Sequence, residues 1–142
     1  MKKSNDNNTI DAPESDYLYA NTSQIPDAGL GLYTAIAIFK DEIIAIFKGE
    51  TLTEQEAATR ANAGNNKYFI NLLDGRIMDS MNVSCFAKYA NDAKGLYNSG
   101  YKNNAKIALD DNDNVCISAI RNIAAKEELF CSYGKRYWKK HG

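Results

Sequence analysis

Four short stretches of this 142-residue chain hold residues whose types and spacing could do chemistry. Near the C-terminal end, Lys126-Glu127-Glu128-Leu129 runs through Phe130-Cys131-Ser132 into Tyr133-Gly134, with Tyr137-Trp138 just beyond. A tyrosine hydroxyl both accepts and donates hydrogen bonds, although a lone tyrosine is more often a packed residue with a satisfied hydroxyl. Ile25-Pro26-Asp27-Ala28-Gly29-Leu30-Gly31 is a glycine turn, a place where main chain can approach closely. Taken alone it is a turn between strands. As a dinucleotide fingerprint it fails, because Thr34 stands where the third glycine would and no helix pattern follows. Asn91-Asp92 in isolation is an Asx-type turn. The only histidine, His141, is one residue from the end, which leaves Ser-His-Asp catalysis, Cys-His catalysis and histidine-based zinc sites without a usable histidine. Cys85, Cys116 and Cys131 are odd in number and form no C-x-x-C pair, so neither a disulfide framework nor a metal site is expected.

The elements that must position these residues are short. Residues 1–15, rich in Asn, Asp, Ser and Lys, read as a disordered leader. A single domain is expected over residues 16–138, followed by a short tail at 139–142. Tyr17 to Ala20 and Leu32 to Ala35 read as strands around the Ile25 to Gly29 turn, and the apolar run Ile43 to Phe47 as a buried strand. Thr53-Glu54-Gln55-Glu56 fits a capping box, which predicts one short helix from Thr53 to about Ala63. Asp74-Gly75 predicts a hairpin between Tyr68 to Leu72 and Arg76 to Met78, and the polar run Asp110 to Asn114 a second, between Ala105 to Leu109 and Val115 to Ile120. Glu50 reads as a structural strand-end carboxylate, Glu127 and Glu128 as a solvated turn, and Lys135, Arg136, Lys139 and Lys140 as a solubilising tail. A formal charge of −1 supplies no field to recruit nucleic acid. No stretch approaches the about eighteen apolar residues of a membrane span, so neither nucleic acid nor membrane is expected as a partner. An intracellular setting is expected, nuclear or cytoplasmic left open.

Taken in chain order, the motifs resemble SET-domain protein lysine methyltransferases over about Asp16 to Trp138. The opening block is Gly29-Leu30-Gly31-Leu32-Tyr33 with Phe47-Lys48-Gly49-Glu50. Tyr68 to Asp79 is similar to the family's F-x-L-D-G hairpin, and Phe86 to Ala93 occupies the place of its A-R-F-I-N-H-S segment. Asn103-Asn104-Ala105 matches the asparagine that follows, and Glu127 to Gly134 closes the series. The resemblance implies a mostly β, β-clip SET-domain fold with one short inserted helix and a knot-like C-terminal crossing at the active site. It implies S-adenosylmethionine as cofactor and a protein lysine, histone included, as acceptor. Tyr133 is then the catalytic residue. Gly29, Leu30, Gly31, Leu32, Asn91, Asp92, Tyr137 and Trp138 are cofactor contacts, and Tyr89 and Cys131 belong to the substrate pocket. A cationic sulfonium beside the acceptor lowers the amine pKa, so no histidine base is essential. The family's usual His-Ser after the asparagine is Asp92-Ala93 here, and its Phe or Tyr two positions before the catalytic tyrosine is Cys131. The smaller cysteine leaves room for more than one methyl group. These departures keep a second expectation open, a catalytically degenerate SET-like binding or scaffolding module. Flanking cysteine-rich zinc modules are absent from this sequence, so the groove is expected to be closed by the chain's own loops or by a homodimer partner.

Overall fold

Hydrophobic segments of a few residues, each closed by a polar turn, favour short strands over long helices. In the computed structural model, which describes residues 10–72, 75–93 and 101–132, they form β1 (Leu18–Thr22), β2 (Leu30–Thr34), β3 (Ile43–Ile46), β4 (Glu50–Leu52), β5 (Phe69–Asn71), β6 (Ile77–Asp79), β7 (Ala105–Leu109), β8 (Val115–Ala119), β9 (Glu128–Leu129) and β10 (Cys131–Ser132). Two helices, α1 (Glu14–Tyr17) and α2 (Glu54–Asn62), and one 3-10 turn (Ala87–Tyr89) complete the described elements. The strands lie in three small sheets ordered β1-β2-β9, β10-β7-β8-β3 and β4-β6-β5. Every pairing is antiparallel except β10 beside β7.

The core lies where the first two sheets meet, built from Leu32, Ile38, Ile44, Ile117, Ile123 and Leu129, all essentially without solvent exposure. Ile44, Ala45 and Phe47 of the 43–47 run are buried, Ile43 and Ile46 partly so, and β3 pairs with β8, whose five residues are all buried. The second hairpin forms as its turn chemistry demands. Asp110 Oδ1 accepts from the amides of Asn112 and Asn114, and Asp113 takes the left-handed conformation, φ 65°. These bonds outweigh burial and hold the Asp110 carboxyl below its usual range. In the first hairpin, Asn71 pairs with Ile77 and Gly75 has φ 91°, while Leu73 and Asp74 lie outside the described residues. Helix α2 starts at the expected capping box. Thr53 Oγ1 accepts from Glu56 N, and Glu56 Oε1 from Thr53 N. Arg60 on α2 reaches Glu50 at 2.9 Å and the buried Asp79 at 2.8 Å, fastening the helix to the β4-β6-β5 sheet. Glu50 is thus a structural strand-end carboxylate, held below its usual pKa by Arg60.

Residues 10–15 depart from the leader expected of them. Ile10 packs on the core cluster, Glu14 Oε2 accepts from Ile46 N at 3.0 Å, and Tyr17 Oη donates to Ile44 O at 2.7 Å. The polar composition hid one apolar anchor and two side chains that satisfy the outer edge of β3, an edge that no strand covers among the described residues. Burial, with the charges of Glu14 and Glu42, pushes the Tyr17 hydroxyl well above its usual pKa, so it stays a donor. The architecture is mostly β with one short inserted helix, as expected. The knot-like crossing needs the chain beyond Ser132, which lies outside the described residues.

Candidate active site

Three segments far apart in sequence are joined through Asn91. Its side chain donates from Nδ2 to Leu30 O at 3.1 Å, in the glycine turn. Its main-chain oxygen accepts from Cys131 N at 2.8 Å, and the residue forms a parallel bridge with Phe130. The glycine turn and the strand that runs in sequence into Tyr133 are therefore both bonded to one asparagine.

Around it the expected residues fall into distinct environments. Gly29 has φ 74° and nothing within 4 Å of the Cβ it lacks, and the neighbouring Leu30 is half exposed. Gly31 is buried, and Leu32 lies in the core, on a strand flanked by β1 and β9. Asp92, at the position where the resemblance puts a histidine, is hydrogen-bonded: Asn103 Nδ2 donates to Asp92 Oδ1 at 2.9 Å, while Ala93 N donates to Asn103 Oδ1 at 2.8 Å. Cys131 has no solvent exposure and belongs to the core cluster. Burial first, then the charge of Asp92, pushes its thiol far up, so it is neutral. Tyr89 is half-buried and meets Tyr68 edge-on, ring centres 6.5 Å apart. Tyr133, Tyr137 and Trp138 lie outside the described residues.

A cavity of about 280 Å³ opens beside Asn91 and Asp92, with Tyr68, Lys67 and Lys88 among its walls. The Lys88 ammonium lies 5.2 Å from the Tyr68 ring centre and 5.4 Å from that of Tyr89. It also donates to the carbonyls of Ser80 at 3.0 Å and Val83 at 3.2 Å, so it belongs to the wall rather than to a ligand. The Tyr68 ring, the Asp92 carboxylate, the Lys67 ammonium and the Asn91 amide around one cavity suit a zwitterionic ligand, and Asn91 is bonded to Leu30 O of the glycine turn. These residues fit S-adenosylmethionine.

Sequence reasoning missed two supports. Asn104 is fully buried and acts as a piece of strand. Its Oδ1 accepts from Phe130 N at 2.9 Å, its Nδ2 donates to Glu128 O at 3.0 Å, and its own amide donates to Phe130 O. Glu128, expected in a solvated turn, is 3% exposed. The correction has a physical cause: β9 pairs with β2, and the Glu128 side chain turns to the loop after β1, where Ser23 Oγ donates to it at 2.6 Å and Gln24 N at 2.8 Å. Burial of the Tyr33 hydroxyl, then the Glu128 charge 3.3 Å away, raises the Tyr33 pKa. No local signal gave this away, since strand alternation turns the neighbour of a buried leucine to the opposite face. Glu127 does stay at the surface, paired with Arg121 at 3.1 Å.

The SET-domain family model matches residues 29–134. The chain belongs to the SET-domain family. Among curated proteins none matches it. Of solved structures, a chain of one described as apo ctPRC2 with two point mutations in Ezh2 superposes with a TM-score of 0.69 and 26% identity, over 87% of this chain and 16% of that one. This chain therefore spans only a small part of the length of that relative. SET domains are generally protein-lysine methyltransferases that use S-adenosylmethionine.

Proposed function

We propose that this chain is an S-adenosylmethionine-dependent protein-lysine N-methyltransferase, with a lysine of a histone or another protein as acceptor. The observation that carries the reading is the double engagement of Asn91, bonded to Leu30 O in the glycine turn and to Cys131 N beside Phe130. The open main chain of Gly29 and Leu30, with Asn91 and Asp92, would hold the cofactor. Tyr137 or Trp138 would supply an aromatic face for its adenine. Bound there, the cofactor supplies a methyl group on a cationic sulfonium, open to attack by a neutral amine. Tyr133 hydrogen-bonds the acceptor amine and aims its lone pair, and the fixed approach lowers the barrier by orientation. Before attack the acceptor ammonium would pass its proton to solvent water, a loss favoured by the nearby positive charge. Tyr68 walls the cavity and meets Tyr89 edge-on, and Cys131 is buried in the core cluster.

A degenerate binding module is not adopted. Of the departures that suggested it, Asp92, Ala93 and Cys131, Asp92 is hydrogen-bonded by Asn103, and the neighbouring Asn91 keeps its bridge to Phe130. The test is transfer of labelled methyl from S-adenosylmethionine to core histones and to an intracellular protein pool, with Tyr133→Phe alongside. Transfer that falls at least about a hundredfold in Tyr133→Phe supports the reading. Transfer unaffected by that change contradicts the role of Tyr133.

A further inference from the structure

The Glu128 carboxylate reaches a serine 105 positions upstream. Burying a carboxylate costs several kcal/mol unless its oxygens are well bonded, and here both are engaged. Oε2 accepts from Ser23 Oγ, and Oε1 from the amide of Gln24, with Tyr33 Oη close by. Ser23 Oγ in turn accepts from Ile25 N at 3.1 Å, and Ser23 N donates to Gly29 O at 2.8 Å. The loop from Ser23 to Gly29 is thus closed by a short network rooted in Glu128. Through its own carbonyl the same residue is held by Asn104, which also brackets Phe130.

The two glycines of the turn differ in the same direction. A Cβ at Gly29 would meet open space. A Cβ at Gly31 would fall on Glu128 Oε2, 2.9 Å from Glu128 Cδ and 3.2 Å from Ser23 Cβ. Were Gly31 a glycine only to admit a ligand, its missing side chain would face a cavity. It faces a carboxylate instead.

We propose that Glu128 is a positioning residue that pins the Ser23–Gly31 turn to the strand entering Tyr133, and that Gly31 is a glycine because of this pin. Glu128 acts on the cofactor only through the turn, which carries the Leu30 oxygen that engages Asn91. What the turn binds rests on the methyltransferase reading; the pin itself rests on geometry.

The experiment compares wild type, Glu128→Ala, Glu128→Gln, Gly31→Ala, the Gly31→Ala/Glu128→Ala double variant and Ile117→Val, a core control in β8 away from the turn. Titration with S-adenosylhomocysteine and amide hydrogen exchange at residues 23–31 are read together with thermal unfolding. Glu128→Ala is expected to weaken binding about tenfold or more and to raise KM for the cofactor, with kcat at saturation changed less than about threefold. Glu128→Gln keeps the size and turns a donor towards Ser23 Oγ, so it restores binding to within about threefold of wild type. Exchange at Gln24 accelerates in Glu128→Ala and not in Ile117→Val. Gly31→Ala damages the wild-type background far more than the Glu128→Ala background, where the added methyl no longer meets a carboxylate. A Glu128→Ala protein with wild-type exchange across 23–31, or a Gly31→Ala penalty equal in both backgrounds, overturns the proposal. Wild type that binds no S-adenosylhomocysteine while showing the exchange and coupling effects overturns the methyltransferase reading and leaves the pin standing.

Discussion

Asn91 concentrates two contacts in one side chain and one carbonyl, and they can be separated. Asn91→Ala removes the bond to Leu30 O but keeps the main-chain contact with Cys131. Because the lost bond is exposed, stability should change by less than about 0.5 kcal/mol, while affinity for S-adenosylhomocysteine should fall roughly tenfold. Calorimetric titration beside a thermal melt checks the split, and equal wild-type and variant affinities would remove Asn91 from the site. The buried thiols make a separate statement about pH. Burial, then the charge of Asp110, pushes the Cys116 thiol from 9.0 to about 11, and Cys131 shifts in the same direction. A thiol whose folded value exceeds its unfolded one keeps its proton where the unfolded chain has released it. The stabilisation is complete below the unfolded value and is lost as pH rises from about 9 towards 11. Urea unfolding between these limits should show stability falling by up to about 1.4 kcal/mol per pH unit for each thiol. A slope unchanged by Cys116→Ala would contradict this.

Among the elements, α2 and the segment before β1 make opposite demands on local and distant sequence. The capping box of α2 is complete within four residues, Thr53 to Glu56, and for that reason it was readable in advance. Thr53→Ala should cost about 1 kcal/mol in chemical unfolding, with no effect on cofactor affinity since no described contact ties Thr53 to the Asn91 cavity. The edge of β3 depends instead on side chains almost thirty positions and more away: Tyr17 is 27 residues from Ile44, and Glu14 is 32 from Ile46. Tyr17→Phe leaves the Ile44 carbonyl without its donor in a buried setting and should cost about 1–3 kcal/mol. A variant as stable as wild type would show that water replaces the hydroxyl there. An uncovered edge also invites pairing with another chain, so the same variant should self-associate more readily in sedimentation.

Over the whole molecule, what was legible in the residues is what short spacing specifies. The strands at Ile43 and Val115, the two hairpins and the helix cap each announce themselves within a dozen positions, and the motif order from Gly29 to Tyr133 tied them to one family. Long-range neighbours did not announce themselves. Nothing adjacent to Glu128 reveals Ser23 and Gln24 as its partners, so its burial was missed, and with it the carboxylate that lies where a Cβ at Gly31 would stand. Ile10 was lost in a polar stretch because one apolar anchor leaves no periodicity. The departure at Asp92 looked like damage until Asn103 was placed beside it. The central claim is that three distant segments meet at Asn91 to form a site for S-adenosylmethionine. Isothermal titration of S-adenosylhomocysteine into the purified chain tests it most directly. The account predicts saturable binding at one site per chain, weakened by Asn91→Ala. No heat of binding up to millimolar ligand, from a chain that is folded by circular dichroism, would contradict it.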